Sequence, residues 1–233
     1  MKHSLRHLHY LQRYSLLKSL QAGMLAVTTL LLISCANTDQ QAISADGLTG
    51  VNSPMNELYI RDGSDFGQYR QFYFEPLTVA YSKQKHNDNL NRREADFQFD
   101  NNELAIFEQK FQAGFSQQWQ QQLNWSQAEQ PSAGVLIVRA AVSDLYLYAS
   151  IKNDSRSPDV ALANETSKMQ LQIELVDAAN QHVLLRMRDQ KTTGQFNSGT
   201  QSMMPVTSVS YWHDAQRMFR QTANSLSRYL GTE

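Results

Sequence analysis

The stretch MQLQIELVDAANQHVLLRMR, residues 169–188, decides the fold. Apolar and polar residues alternate from Met169 to Leu175, and the alternation returns from Val183 to Arg188. A period of two is typical of a strand with one buried face, and a short polar segment between two such runs indicates a hairpin loop. We predict an antiparallel β-hairpin here, with one face in the core and the other in solvent.

The hydrophobic pattern also predicts the register of this hairpin. If Leu175 lies opposite Leu185, residues 178–182 form a five-residue loop and Glu174 lies opposite Arg186. A cross-strand ion pair of this kind contributes on the order of 0.2–1 kcal/mol, so it adjusts the stability of the hairpin without determining it.

A long extended segment precedes the hairpin, from Gly134 to Ile151. Its first residues, Val135–Val138, form an unbroken apolar run, which predicts a central strand that is buried on both faces. Further along, Tyr146 and Tyr148 are candidates for a contact surface. Ordinary packing of the two rings within the sheet is the alternative.

Two segments have the spacing of amphipathic helices. Between Asn101 and Leu123, large apolar residues recur every three or four positions, with glutamines mostly on the other faces. The second segment, Tyr211–Leu230, follows Ser210, a candidate N-cap, and ends before Gly231. The two apolar stripes consist of Leu104, Phe107, Phe111, Phe115 and Trp119, and of Trp212, Ala215, Phe219, Ala223, Leu226 and Leu230.

The elements follow one another as strand, helix, three strands and helix. The first strand covers Phe72–Tyr81, where Pro76 indicates an edge or a bulge. A strand–helix–strand crossover followed by a meander predicts an α+β fold: a mixed, mostly antiparallel four-stranded sheet with both helices on one face. We assign residues 58–233 to this single domain.

The first 34 residues have the composition of an export signal. They contain four basic residues and no acidic ones, and an apolar run from Ala22 to Ile33 follows the basic part. At about 1.5 Å per helical residue, this run is too short for a hydrocarbon core of about 30 Å. We therefore predict that residues 1–34 are a signal peptide that is removed. An uncleaved anchor is the other interpretation.

The end of this segment resembles the lipobox of bacterial lipoproteins. In Leu32-Ile33-Ser34-Cys35 a small residue precedes the one cysteine of the chain. The resemblance implies cleavage between Ser34 and Cys35, a diacylglycerol on the Cys35 thiol and an acyl chain on the freed amine. Several acyl chains anchor a protein far more firmly than one. Apart from this covalent lipid, we predict no cofactor.

The residues after Cys35 predict where the protein resides. In sorting of the enteric type, an aspartate directly after the cysteine retains a lipoprotein in the inner membrane, whereas this chain has Ala36 and Asn37. The resemblance thus implies the outer membrane of a Gram-negative bacterium, on its periplasmic side. Residues 35–57 contain many small and polar residues, and we predict that they form a flexible tether for the domain.

The charge balance limits the possible partners. Four of the 21 basic residues lie in residues 1–34, so the mature chain keeps 17 basic and 22 acidic residues, a net charge of −5. Nucleic-acid binding needs a concentrated basic surface, and we predict no nucleic-acid partner. We expect contact with the membrane through the lipid anchor, and an envelope protein as the partner.

Three short motifs carry a family resemblance. They are Asp62–Phe66 before the first strand, Val138–Asp144 in the long strand and Glu174–Ala178 at the hairpin. These motifs resemble a family of uncharacterised bacterial lipoproteins, the domain-of-unknown-function 3313 family. The family usually has Thr-Gly in the hairpin turn, where this chain has Ala179-Asn180; asparagine tolerates the left-handed conformation, so the turn is retained. The resemblance implies location and fold, and it brings no catalytic residues.

The sequence has no recognisable catalytic or metal-binding motif. The mature chain contains His86, His182 and His213, none with a second histidine or a carboxylate at metal-ligand spacing. His213 and Asp214 are adjacent on a helix, where side chains point about 100° apart, so we expect no dyad. Asp62-Gly63-Ser64-Asp65 lacks the later ligands of a calcium loop and is assigned to a capping turn.

These observations favour a non-enzymatic outer-membrane lipoprotein that binds another envelope component. The alternative is a carrier of lipid or another hydrophobic ligand in an envelope transport system, which requires a groove between the helices and the sheet. A hydrolytic enzyme is the third hypothesis, and it requires a cleft with converging polar groups.

Overall fold

A computed structural model describes residues 43–86, 93–151, 162–163, 165–194 and 204–231. Ser34, Cys35 and the rest of the predicted signal peptide and lipid site lie outside these ranges. The described residues form two long helices, α1 (Asn101–Leu123) and α2 (Ser208–Leu230), and two short 3-10 helices, Phe66–Gln68 and Glu94–Phe97. The strands are β1 (Leu48–Gly50), β2 (Glu57–Arg61), β3 (Gln71–Phe74), β4 (Thr78–Tyr81), β5 (Ser126–Gln127), β6 (Val135–Leu147), β7 (Leu162–Ala163), β8 (Ser167–Asp177), β9 (Val183–Thr193) and β10 (Met204–Pro205).

Eight of these strands form one mixed sheet, which confirms the predicted α+β class. The strand order is β1-β2-β9-β8-β6-β3-β5, and β4 also pairs with β6. β3 and β4 run parallel to β6, as a strand–helix–strand crossover requires, whereas β6, β8, β9, β2 and β1 form antiparallel pairs. The predicted number of four strands is wrong. The additional strands β1, β2 and β5 are only two to five residues long, too short to show a period in the sequence.

The predicted first strand is divided at Pro76. β3 ends at Phe74 and β4 begins at Thr78, and both pair with β6. Proline has no N–H to donate, so it interrupts the ladder. The backbone N–H of Leu77 donates instead to Glu108 Oε1 of α1 at 3.1 Å, which ties the break in the strand to the helix.

Part of the predicted tether belongs to the sheet. β1 lies within residues 35–57, and Leu48 at its start is completely buried. Met55 is also buried, just before β2. The folded domain therefore begins before Leu58. Single apolar residues separated by polar ones give no periodic signal, so only their partners across the sheet identify them as core.

The predicted hairpin and its register are confirmed. β8 and β9 pair with Leu175 opposite Leu185 and Glu174 opposite Arg186, and residues 178–182 connect them. Arg186 Nε donates a hydrogen bond to Glu174 Oε1 at 2.8 Å.

One detail of the hairpin loop differs from the expectation. The left-handed residue is Gln181, with φ of 60°, whereas Asn180 accepts a hydrogen bond from the His182 N–H through its side chain at 2.8 Å.

Both predicted helices are present. α1 covers the predicted residues and begins with a capping box, in which Asp100 accepts from the Glu103 N–H and the Glu103 carboxylate accepts from the Asp100 N–H. α2 begins three residues earlier than predicted, because Thr207 rather than Ser210 is the N-cap. Ser210 instead occupies the third helical position and completes a second capping box.

Aromatic side chains fill the space between the helices and the sheet. Phe72 and Phe74 of β3 contact Trp119 and Phe111 of α1, with ring centroids 5.1 and 5.5 Å apart. Phe219 of α2 lies 5.3 Å from Phe111 in an edge-to-face arrangement. All five rings are at most 5% exposed, so both helices share one core with one face of the sheet.

α1 and α2 approach each other closely at Gly114. A Cβ atom at this position would lie 3.0 Å from Phe219 Cβ and 3.1 Å from the backbone nitrogen of Arg220. Because the second contact is backbone, α2 itself would have to shift. Glycine costs about 1 kcal/mol of helix propensity relative to alanine, and here its small size allows the helices to pack.

Replacing Gly114 by alanine is expected to destabilise the domain by about 1–3 kcal/mol, since the added methyl group overpacks the helix–helix contact. On an open helix surface the same substitution stabilises a protein by up to about 1 kcal/mol. The sign of the change in the free energy of unfolding therefore shows whether the two helices are in close contact at Gly114. Urea unfolding measures the free energy of unfolding of each variant, with Gln120→Ala on the exposed side of α1 as the control. A stabilised Gly114→Ala variant would contradict the close approach.

Candidate binding groove

The face of the sheet opposite the helices carries polar side chains, and we call it the open face. β8 shows the division, because Leu171 and Ile173 are buried in the core whereas Gln170 and Gln172 are partly exposed. A groove of about 500 Å³ lies at one end of the open face. Its lining includes Asp144, Tyr146, Tyr148, Lys168, Gln170 and Gln190.

The two tyrosines predicted as a contact surface both line this groove. Tyr148 is 43% exposed, and its ring packs edge-to-face on Tyr146 with centroids 5.1 Å apart. Burial raises the pKa of both phenols above the ordinary value of 10. Both side chains are therefore protonated and neutral at physiological pH.

A bulge at Asp144 directs the tyrosines to the open face. Asp144 has a left-handed backbone, with φ of 52°, and the pairing of β6 with β8 shifts register at this point. Even-numbered residues of β6 face the core before the bulge, and Leu145 and Leu147 face it afterwards. Aspartate is among the few residue types that tolerate this conformation. Without the extra residue, Tyr146 would point into the core.

His86, which the sequence analysis assigns to no metal-binding motif, supports Tyr146. Its ring lies between Phe97 and Tyr146, within 8° of parallel to both, at centroid distances of 3.9 and 4.3 Å. Nε2 donates a hydrogen bond to the Leu147 carbonyl oxygen at 2.7 Å, and Nδ1 lies 2.8 Å from Glu94 Oε1. No linear signal indicates this stack, because its three rings come from separate segments of the chain.

Side-chain amides form much of the remaining lining. Gln170 of β8 lies opposite Gln190 of β9 on one side and opposite Ser143 of β6 on the other. Asn56 extends this neutral row, since its Oδ1 accepts a hydrogen bond from the Gln190 N–H at 2.7 Å. Gln84 also lines the groove. Sequence reasoning missed these amides, because glutamines occur throughout the chain and only the sheet places these together.

Beyond the amides, five side chains of alternating charge form a row across the open face, which we call the charged row. Its members are Asp46, Arg186, Glu174, Arg139 and Glu75, with N–O distances of 2.5, 2.8, 3.6 and 2.7 Å between successive partners. Hydrogen bonds from Ser44 and Arg186 lower the pKa of Asp46 to about 2. Because both arginines lie between acidic partners, the charged row holds strands together and leaves no positive charge unpaired for an acidic ligand.

The residues that the sequence analysis weighed as a calcium loop or a catalytic dyad lie away from the groove. Asp65 accepts a hydrogen bond from the Gly67 N–H at 2.8 Å and caps a 3-10 helix, as predicted for a capping turn. His213 Nδ1 is 3.7 Å from Asp214 Oδ1, too far for a hydrogen bond, and this oxygen accepts from Arg217 Nη2 instead.

Two features are absent from the part of the chain that the structure describes. There, no three histidine, cysteine, aspartate or glutamate residues are grouped as a metal site would require. In the same residues, no helix combines the length and the apolar character needed to cross a bilayer.

The fold and the groove define a two-layer α+β domain whose helices cover one face of the sheet and leave a polar groove on the other. The chain belongs to the family described as "Protein of unknown function (DUF3313)", whose model matches residues 39–225. No curated protein matches the chain.

Several solved bacterial structures are partly similar to this chain. A DUF4136 family protein from Bacteroides thetaiotaomicron is 10% identical, with 74% of this chain and 95% of that chain covered and a TM-score of 0.37. A candidate lipoprotein from Caulobacter crescentus is 12% identical, with 70% and 89% covered and a TM-score of 0.31. The PelC dodecamer from Paraburkholderia phytofirmans is 11% identical, with 72% and 96% covered and a TM-score of 0.30.

A double-mutant cycle on Glu174→Gln and Arg186→Gln is expected to give a coupling of roughly 0.2–1 kcal/mol, since the two residues are direct cross-strand neighbours. The coupling should decrease at about 1 M salt, where charges are screened. Glu57 and Arg188 form the matched control pair, 3.5 Å apart and each 43% exposed, and their coupling should be smaller. Coupling is measured by urea unfolding. Equal coupling energies in the two pairs would contradict the claim that the charged row stabilises the sheet more than an exposed ion pair does.

The lowered pKa of Asp46 predicts a pH-dependent contribution to stability. Its folded-state pKa of about 2 lies below the unfolded value of about 3.9, so ionised Asp46 stabilises the fold above about pH 4 and this contribution is lost as the pH falls through 2. The effect should be small, because the side chain is 37% exposed. Urea unfolding is measured from pH 5 to pH 2. The difference in the free energy of unfolding between the wild type and Asp46→Asn should become smaller as the pH falls. A difference that stays constant would contradict a stabilising role of ionised Asp46.

Proposed function

We propose that this protein is an exported lipoprotein whose domain binds another component of the cell envelope without catalysing a reaction. The support for the anchor comes from the sequence: a basic leader, a short apolar run and Leu32-Ile33-Ser34-Cys35. Acyl chains on Cys35 would hold the domain at the membrane. Ala36 in place of aspartate favours the outer membrane, with the domain facing the periplasm.

The observation that carries the binding role is the groove beside Tyr146 and Tyr148. The two rings form an aromatic contact surface, and His86 already holds Tyr146 in place. The side chains therefore lose little conformational entropy when a ligand binds. The described lining residues include no histidine or cysteine, so they offer no nucleophile paired with a histidine base. This composition favours binding over catalysis.

The packing of the domain favours this proposal over a carrier of hydrophobic ligands. A carrier requires an apolar cavity between the helices and the sheet. In the described residues, the aromatic core occupies this space, and Phe72, Phe107 and Phe219 are completely buried there. The groove of about 500 Å³ lies on the open face and is largely polar.

The anchor is tested with Cys35→Ser in cells that are fed an alkyne-labelled fatty acid. The wild-type protein should carry the label and lose residues 1–34, as measured by intact mass. The variant should remain unlabelled and uncleaved, because the thiol that receives the lipid is absent, whereas Ser34→Ala should behave as the wild type. Cleavage of Cys35→Ser before residue 35 would reject the anchor.

The binding role is tested by placing a benzophenone amino acid at residue 148 of the acylated protein and irradiating living cells. We expect a cross-linked adduct from this position. The matched control is residue 209, another exposed large hydrophobic residue (Val209, 76% exposed) that lies at the start of α2 and away from the groove. Recovery of the monomer alone from both positions would reject a binding role for the groove.

A further inference from the structure

The groove carries no excess of positive charge. Among its described lining residues only Asp144 and Lys168 are charged, and the Glu165 carboxylate adds a negative charge beside the Tyr148 hydroxyl, to which it is hydrogen-bonded. The mature chain as a whole carries a net charge of −5. Nucleic acids, acidic lipid headgroups and acidic polysaccharides all require an excess of positive charge, so the groove does not match them.

Three side-chain amides of the groove are available to a ligand. The side-chain amides of Gln84, Gln170 and Gln190 make no hydrogen bond to any other described residue. Each amide offers two donors and one acceptor oxygen. A ligand that satisfies both kinds of group must itself carry donors and acceptors at close spacing, as neighbouring hydroxyl groups do. A carboxylate or phosphate only accepts, and it would leave the amide oxygens unpaired.

The aromatic residues add a rigid platform beside these amides. Phe97, His86 and Tyr146 form a stack of three nearly parallel rings, and Tyr148 packs against the last of them. The face of an aromatic ring is electron-rich and attracts polarised C–H groups. A sugar ring has such a C–H face and a hydroxyl edge, and the groove places a matching surface beside each.

The polar surface continues along β8 beyond the groove. Gln172 follows Gln170 on the same face and lines a second hollow of about 230 Å³, together with Thr78, Ala141 and three members of the charged row, Glu75, Arg139 and Glu174. Ala141 and Ser143 are small residues of β6 that lie opposite the two glutamines. The result is a shallow path along the strand direction, which suits a linear chain better than a single sugar.

A protein partner fits the open face less well than a hydroxyl-rich ligand does. Stable protein interfaces have a centre of large apolar or aromatic anchors that lose all contact with water. Among the described residues, the exposed large hydrophobic side chains are Ile43, Tyr148 and Val209, and of these only Tyr148 lies at the groove. The open face therefore lacks an apolar centre, which a hydroxyl-rich ligand does not need.

We infer that the groove binds a neutral glycan chain, with a sugar ring stacked on Tyr148 and hydroxyl groups hydrogen-bonded to Gln170 and Gln190. This inference rests on the proposed function and names the chemical class of the envelope component.

The test uses the full acylated protein in a detergent without sugar groups, such as lauryldimethylamine oxide. Neutral linear hexasaccharides of glucose, N-acetylglucosamine, mannose and galactose are titrated by calorimetry, with hexagalacturonate as the acidic counterpart. We expect at least one neutral hexasaccharide to bind and hexagalacturonate not to bind. Tyr148→Ala should weaken binding roughly tenfold, because it removes an aromatic contact. Gln170→Ala should weaken binding roughly two- to tenfold, because it removes one neutral hydrogen bond.

Gln120→Ala on α1 is the matched control and should bind as the wild type does, because this exposed glutamine lies on a helix away from the groove. The inference is overturned if no neutral hexasaccharide binds, if hexagalacturonate binds equally well, or if Tyr148→Ala keeps the wild-type affinity. A protein adduct from residue 148 without glycan binding would overturn the inference and leave the proposed function intact. Monomer alone in the cross-linking experiment, without glycan binding, would overturn both.

Discussion

The packing of α1 against α2 over an aromatic layer is the constraint on which the rest of the structure depends. Gly114 allows the two backbones to approach, and Phe111 and Phe219 fill the space beside this contact. Both helices then cover the same face of the sheet, and their rings pack against Phe72 and Phe74 of β3. With that face completely covered, the open face is left for polar side chains.

The polar groove follows from a single irregularity in the central strand. The bulge at Asp144 adds one residue to β6, so Leu145 and Leu147 continue the core while Tyr146 turns outward. His86 then holds Tyr146 in place through ring stacking and through its hydrogen bond to the Leu147 carbonyl oxygen. A strained backbone position that redirects a side chain is more typical of functional sites than of ordinary sheet packing.

The open face separates two kinds of polar surface. In the charged row, Arg186 and Arg139 lie between acidic partners, so each charged side chain has an opposite charge beside it within the protein. In the groove, the amides of Gln170 and Gln190 have no such partners among the described residues. Satisfied charges hold strands in register, whereas unpaired neutral amides remain free to select a ligand. This difference separates stabilising residues from candidate binding residues on one sheet.

The sequence by itself determined the α+β class, the two long helices and the hairpin register from Leu175 and Leu185, because local periodicity states which face of an element is buried. It also predicts an export signal over residues 1–34 and a lipid site at Cys35, because such a signal is recognised in the linear chain without a fold. Only the tertiary structure decided that β1 and β2 join the sheet, that Pro76 divides a strand, and that amides distant in sequence meet beside Tyr146. Periodicity shows that a residue is covered, but not which remote segment covers it, and the groove is assembled from several segments that lie far apart in the chain.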